Sequence, residues 1–515
     1  MLHNQGLTTN DLFRRTCARY PETIALVDGS YRYSYAALND ESNKLANAIL
    51  NLGVKKGDRV AICAKNCKEF VFTYLALAKI GAVMIPLNHK CVATELEYML
   101  RDCEAGVLLF ETEYSQSVAY LKHHLAEASK YISIGSCDFP FAINYDLLVF
   151  SCSIAEPNVD ISEDDECGII YTSGTTGKPK GAIYTHRTRV ACTVNTLLGA
   201  SMDMETILLA GPLFHAGTLN AFLTNLAIGA TTIIIPRHHP EDIAQTIEAE
   251  RVNHLLTVPT VLHNLIEIGA FDKFDFSSLR KIRYGGSSIS LTDLEILVKK
   301  LPQVKFFQGY GGTETTQLTV LSPEDHIRKF ECTGKAHLLV DLRVVDETTG
   351  QDVAPGNVGE VITRGPHIIK GYLNLPEENK RSFRNGWFHT EDIARIDEDG
   401  FITIIGRKGD MIISGGENIY PEEVEKVLII HPKIKGAAVF GIPDEKWGQS
   451  VCAAVIVRDN EVITEEEIIN YCKENLASYK KPSKVRFFKS FPLNTSGKIL
   501  KNKLKEAFLE GMETP

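Results

Sequence analysis

ECGIIYTSGTTGKPKG, residues Glu166 to Gly181, is the stretch on which the reading of this chain turns. Its first part, Cys167 to Tyr171, is a short apolar run that fits a buried strand. The run empties into Thr172, Ser173, Gly174, Thr175, Thr176, Gly177 and Lys178 before Pro179, with Lys180 following. Glycines let a backbone approach an anion and turn N–H groups toward it, hydroxyls add donors, and lysines add charge. The composition is that of a phosphate-binding loop placed after a strand. It is not a Walker A loop, because Lys178 comes four residues after Gly174 and is followed by proline instead of Ser or Thr. The alternative is an ordinary Gly/Thr surface turn, which would not need so many phosphate donors together.

Upstream and downstream, strand-like and helix-like segments alternate. Ala25 to Tyr35 reads as two strands about Asp28-Gly29, Leu38 to Leu50 has helical spacing, and Val60 to Ala64 returns to a strand. That alternation predicts an α/β fold with parallel sheets, with ligands at the carboxyl ends of the strands. Two more strands end in small-residue loops: Lys281 to Tyr284 before Gly285-Gly286-Ser287-Ser288, and Lys305 to Gln308 before Gly309-Tyr310-Gly311-Gly312-Thr313-Glu314. The loops are expected to converge on one pocket. From about Asp341 the pattern becomes β-rich, as in a small sheet or barrel. Gly406 to Asp410 is a polar, glycine-containing boundary, giving an expected large domain over 1–408 and a small α/β domain over 409–515.

The chain has 515 residues, a net charge of −10, 44% hydrophobic and 23% charged residues, which suits a soluble protein of several globular domains. The acidic balance argues against a nucleic-acid binder working by bulk attraction. Twelve cysteines are scattered without a C-x-x-C pair, so reduced thiols are expected rather than a zinc framework or disulfides. No signal-peptide pattern opens the sequence and no apolar run is long enough to span a bilayer. A cytoplasmic protein with no transmembrane segment is expected, and a homodimer is compatible with the sequence. G-x-S-x-G, H-E-x-x-H and G-x-G-x-x-G are absent, which leaves hydrolase, metalloprotease and dinucleotide oxidoreductase readings without support.

Six stretches in order carry a resemblance: YTSGTTGKPKG from Tyr171, PLFHAGT from Pro212, GYGGTET from Gly309, GWFHTEDIA from Gly386, GRKGDMIISGGENIYPEEVE from Gly406 and PLNTSGKILK from Pro492. Together they make the chain similar to the adenylate-forming superfamily of acyl-CoA synthetases, adenylation domains and luciferases over almost its whole length. The resemblance implies a two-step acid–thiol ligase that uses ATP, Mg²⁺ and CoA. In the first step an acid and ATP give an acyl-adenylate and pyrophosphate, and in the second the acyl group passes to a thiol.

It also implies roles. The loop Thr172 to Lys180 would hold the β- and γ-phosphates, and Glu314 with Thr172 would hold Mg²⁺. Tyr310 would lie against adenine, with Gly286 and Ser287 opposite and Gly309, Gly311 and Thr313 close by. Asp392 would take the ribose hydroxyls beside Arg407. Lys498 would bridge carboxylate and α-phosphate, Gly409 would be the domain hinge, and Gly415 and Gly416 would approach CoA. His215 would separate the acyl pocket from the thiol tunnel, and Trp447 reads as packing.

Two positions depart from the family pattern: Glu391 stands where T-G-D has glycine, and Gly312 where a larger residue is common. The three stretches expected around the acyl group, His215 to Leu219, Gly285 to Ser288 and Gly309 to Gly312, contain no Arg or Lys. That favours a medium- or long-chain fatty acid, with an aryl acid second. Loading of a carrier protein, a luciferase-like oxygenase and a non-catalytic scaffold are the remaining alternatives.

Overall fold

The structure is a computed structural model that describes residues 6–125, 130–172, 178–200, 202–326, 328–493 and 499–510. The packing of Cα atoms separates two compact units, residues 1–342 with 363–388, and residues 343–362 with 389–515.

The first unit holds two large sheets. One runs, neighbour to neighbour, through Lys335–Ala336, Thr316–Leu321, Lys305–Gly312, Lys281–Gly285, His254–Thr257, Thr206–Leu209, Thr231–Ile234, Ile24–Asp28 and Tyr31–Ser34. Its central pairings are parallel and its edges antiparallel. The expected hairpin about Asp28-Gly29 is one of those edges. The other sheet contains Glu166–Thr172, which pairs in parallel with Val83–Pro86 on one side and antiparallel with Lys180–Thr185 on the other. Thr172 and Lys180 are register partners at the end of that antiparallel pair.

Helices Thr9–Arg19, Tyr35–Asn51, Lys68–Ile80 and Ala216–Ile228 share one buried cluster with residues of both sheets, among them Leu26 and Leu209 from the first and Ile62, Leu109 and Ile170 from the second. Helix Lys68–Ile80 is buried on every face, which explains its apolar run without a polar stripe. It stops at Gly81 in the left-handed conformation. Truncating a fully buried ring such as Phe222 in this layer costs about 3–5 kcal/mol.

In the second unit the strand Ile434–Asp444 pairs antiparallel with Gly448–Val457, and Lys484–Phe487 joins in parallel. Alternate residues serve two clusters: Ala437 and Val439 pack with Val424, Leu428 and Ile468, while Ala438, Phe440 and Ile442 pack with Leu504 and Phe508. Period-two burial on both faces follows from coverage on both sides of the sheet. Helix Glu465–Asn475 starts at a capping box between Thr464 and Glu467. The Lys-rich end of the chain includes a helix, Lys501–Glu510, whose Leu504 and Phe508, four apart, are its buried stripe.

Candidate active site

The strand Lys305–Gly312 turns at Thr313 to Thr315 and returns as Thr316–Leu321, with Gly311 opposite Gln317 and Gly312 opposite Thr316. The two strands come so close that a Cβ on Gly311 would collide with the carbonyl oxygen of Thr316. Glycine there is a requirement of the turn. Thr315 Oγ1 accepts from the Gly312 N–H at 3.0 Å, closing it from inside.

Neighbouring elements pin the turn from outside. The Tyr184 hydroxyl donates to the Thr313 carbonyl, and its ring lies 3.8 Å from the guanidinium carbon of the buried Arg189. The Ile369 N–H donates to the Glu314 carbonyl at 3.0 Å. The Tyr372 hydroxyl donates to Glu314 Oε1 at 2.9 Å. Glu314 thus projects a carboxylate whose direction is fixed by a neighbour 58 residues away in sequence.

Lys180 stands next to this group. Its Nζ lies 5.4 Å from the centre of the Tyr372 ring and pairs with Glu378 Oε1 at 2.7 Å. Burial works to raise the Glu378 carboxyl, but the hydrogen bond from Lys180 outweighs it, with help from Arg381 at 2.9 Å, and the group is held below its ordinary value. Thr172 is half-buried, its hydroxyl 3.5 Å from the Lys180 carbonyl, and Lys178 Nζ lies 5.5 Å from the Tyr98 ring. Ser173, Gly174, Thr175, Thr176, Gly177 and Lys498 lie outside the described residues.

Gly285 pairs with Gly309 in the parallel register, so the loops after their strands open at the same edge of the sheet. Gly286 and Ser287 are exposed there, and Tyr310 is half-buried. His215 is the residue before helix Ala216–Ile228, half-buried, with its ring 4.5 Å from that of Phe214.

Asp392 and Arg407 belong to the second unit. They are register partners of adjacent antiparallel strands, and Arg407 Nε donates to Asp392 Oδ1 at 2.9 Å. Thr390 Oγ1 accepts from the Asp392 N–H at 3.1 Å and donates to the Val361 carbonyl at 2.8 Å, fixing the strand locally. Between them Glu391 has φ of 61°, in the left-handed region. That conformation favours glycine, the residue of the family pattern, and this chain adopts it with a side chain. The Glu391 N–H and the His389 ring both reach the buried carboxylate of Glu360, at 3.3 and 2.9 Å.

Gly409 lies within the second unit, in the short 3₁₀ turn Lys408–Asp410, and a Cβ on it would meet nothing within 4 Å. Gly415 and Gly416, both at positive φ, make the two-residue turn between Ile412–Ser414 and Glu417–Ile419. The Trp447 ring packs across Gly415, and the Gly415 N–H donates to the Trp447 carbonyl at 2.8 Å.

Among the described residues no cluster of three or more His, Cys, Asp or Glu is arranged to hold a metal, and no helix is long and apolar enough to cross a membrane. Mg²⁺ bound alongside phosphates needs only one or two protein carboxylates, so the oriented Glu314 carboxylate fits that ion. Tyr184, Tyr372 and Glu378 were not legible as site residues, because their partnerships span 58 to 198 residues and carry no local spacing.

Residues 13–373 match the AMP-binding enzyme family, and residues 423–498 match the AMP-binding enzyme C-terminal domain. Feruloyl-CoA synthase from an Amycolatopsis species is 34% identical over 98% of this chain and the whole of that protein. A long-chain-fatty-acid–CoA ligase from Mycobacterium tuberculosis is also 34% identical, over 96% of this chain and 98% of the ligase. The solved o-succinylbenzoate CoA synthetase of Bacillus subtilis, in complex with its acyl-adenylate intermediate, superposes with a TM-score of 0.86 at 32% identity, covering 96% of this chain and 97% of that one. The chain belongs to the AMP-binding enzyme family and is an adenylate-forming CoA ligase, an AMP-forming acyl-CoA synthetase that works with ATP, Mg²⁺ and CoA.

Proposed function

We propose that the residues gathered at the Glu314 turn hold the polyphosphate end of ATP, and that Asp392 with Arg407 holds the ribose. A carboxylate approaching an α-phosphate is one anion meeting another, so rate comes from positioning and from positive charge near the developing negative charge. Lys180 brings such a charge beside the turn. Thr172 and the loop to Lys178 add hydroxyl and N–H donors. Glu314 would hold Mg²⁺, which would supply neutralising charge to the phosphate oxygens. Lys498 supplies the cation that bridges the two reacting anions. An acid oxygen bonds to the α-phosphorus as the bond to pyrophosphate breaks; the thiol sulfur of CoA then bonds to the acyl carbon, losing its proton, as AMP leaves. Gly409 is the pivot between the two steps, and the Gly415–Gly416 turn approaches CoA in the second.

The observation that carries this reading is the Glu314 carboxylate oriented by Tyr372 with Lys180 beside the same ring. The acid was expected to be a medium- or long-chain fatty acid because the three loop stretches lack Arg and Lys. Arg283, two residues before Gly285 and buried, stands just outside those stretches and favours the aryl or otherwise polar-ended acid. Acid-dependent exchange of labelled pyrophosphate into ATP in the absence of CoA tests the first step. Exchange that requires both acid and Mg²⁺ is expected; hydrolysis of ATP without exchange would contradict the reading.

A further inference from the structure

Arg283 sits in strand Lys281–Gly285, where a charged residue between Ile282 and Tyr284 would ordinarily point to water. Ile282 and Tyr284 pack into the cluster with Ile243, Leu262 and Leu265 on one side of the sheet. Arg283 therefore points to the other side, which is covered as well, and it is only 4% exposed. Among the described residues no carboxylate lies within ion-pair distance of it. Its guanidinium donates instead to Gln317 Oε1 at 3.3 Å and lies 3.5 Å from Met202 Sδ. Burial alone pushes it down to about 10. An uncompensated guanidinium inside a protein is costly, and proteins that keep one ordinarily give it an anion or a set of strong acceptors.

The surroundings are polar for no purpose that the fold itself supplies. Gln317 Oε1 also accepts from Thr196 Oγ1 at 3.3 Å, and Thr196 Oγ1 accepts from Asn220 Nδ2 at 3.4 Å. Asn220 Oδ1 and His337 Nε2 are buried without a hydrogen-bond partner, at residues that are 4% and 6% exposed. Burial, reinforced by the nearby charge of Arg283, lowers His337 to about 4, so its ring is neutral and able to join a hydrogen-bond network. Buried polar atoms are ordinarily hydrogen-bonded, so these two are open to a further donor or acceptor.

This network touches the elements that are expected to surround the acyl group. Gln317 is the register partner of Gly311, and its amide occupies the space where a Cβ on Gly309 would be. Asn220 is on helix Ala216–Ile228, which begins directly after His215. Arg283 and Gly285 share a strand and a face. The chain of contacts from Asn220 to Arg283 thus runs beneath the three stretches, on the side onto which Gly309 opens.

We propose that this network is the far end of the acid's pocket, and that the acid carries, away from its reacting carboxyl, an oxygen group that accepts a hydrogen bond from Arg283. The proposal rests on the acid–CoA ligase reading above. The oxygen is a hydroxyl on an aryl ring or a second carboxylate; both offer Arg283 an acceptor beyond Gln317 Oε1, the Gln317 amide NH₂ can donate to either, and the open Asn220 Oδ1 can accept from the hydroxyl. A plain fatty acid would leave the guanidinium buried against methylene groups, which a site built for hydrogen bonding rejects.

Matched acids test this: octanoate against octanedioate, and cinnamate against 4-hydroxycinnamate and 4-carboxycinnamate. Two readouts are needed, kcat/KM for acid-dependent AMP formation, and calorimetric affinity of each acid in the presence of a non-hydrolysable ATP analogue. The oxygen-bearing acid of at least one matched set is expected to be favoured at least about tenfold by both readouts. Arg283→Met is expected to remove that preference and Arg283→Lys to retain part of it, which guards against a variant that merely fails to fold. The set in which the preference appears distinguishes hydroxyl from carboxylate. Preference for octanoate and cinnamate, or a polar preference that survives Arg283→Met, would overturn the proposal. A polar preference in binding that depends on Arg283, with no AMP formed from any acid, would uphold the pocket and sink the ligase reading instead.

Discussion

The hydroxyl of Tyr372 donates a hydrogen bond of 2.9 Å to Oε1 of Glu314, joining the short strand Gly371–Tyr372 of one sheet to the turn that ends a strand of the other. That bond fixes the direction of the carboxylate assigned to Mg²⁺. Lys180 lies over the same tyrosine, so one ring organises an acid and a base around the proposed phosphate site.

Tyr372→Phe keeps the ring under Lys180 and removes only the donor. A hydrogen bond to a charged group contributes about 1.5–3 kcal/mol, so kcat/KM for ATP is expected to fall roughly 10- to 100-fold. The Mg²⁺ concentration for half-maximal rate should rise while the melting temperature changes little. Magnesium titrations of the two proteins, run beside a thermal melt, check this; an unchanged magnesium dependence would detach Tyr372 from the metal.

Glu391 pays for a left-handed turn that glycine would adopt freely. At φ of 61° the side chain costs about 1 kcal/mol, partly offset by the lower chain entropy of a non-glycine residue in the unfolded state. Glu391→Gly is therefore expected to stabilise the second unit by up to about 1 kcal/mol in urea unfolding. The Asp392–Arg407 contact does not depend on the Glu391 side chain, so nucleotide affinity should stay within about twofold, a change worth well under 1 kcal/mol. Loss of affinity would assign Glu391 a direct part in the site.

Glu422 gives the second unit a pH-dependent term. Burial pushes its carboxyl up from 4.5 to about 7, with Lys501 opposing, and Oε2 has no hydrogen-bond partner. The folded chain therefore holds an extra proton between those values. The stability from this group is fully present below pH 4.5 and is lost as the pH rises through 7. Glu422→Gln should raise the melting temperature more at pH 8 than at pH 5. Equal shifts at both values would show that Glu422 is ionised throughout.

Lys498→Ala should suppress acyl-adenylate formation while leaving transfer to CoA from a supplied acyl-adenylate. Stopped assays of the two half-reactions distinguish this from a general defect, since equal loss of both would remove the lysine from the first step.

Much of the architecture was legible locally. The hairpin about Asp28-Gly29 and the strand that begins at Lys305 are set by residues a few positions apart, where turn chemistry and apolar runs speak directly. That strand runs on through Gly312, past the loop expected from Gly309, because it pairs with Thr316–Leu321. The site was legible as far as it consists of loops. What was hidden depends on packing between distant segments. Tyr372 reads as one more tyrosine until the second sheet brings it to Glu314. Arg283 looks solvent-facing by composition, and only coverage of both faces of its sheet makes it interior. Leu504 and Phe508 are diluted by the lysines around them, and the helix face they form appears once Phe440 is packed against it.

The most direct test of the account is AMP and acyl-CoA formation by the purified chain with ATP, Mg²⁺ and the acid panel above, measured with and without CoA. The account predicts AMP and thioester in equal amounts when CoA is present, and only slow AMP release without it. AMP release that is indifferent to CoA, with no thioester formed from any acid, would contradict it.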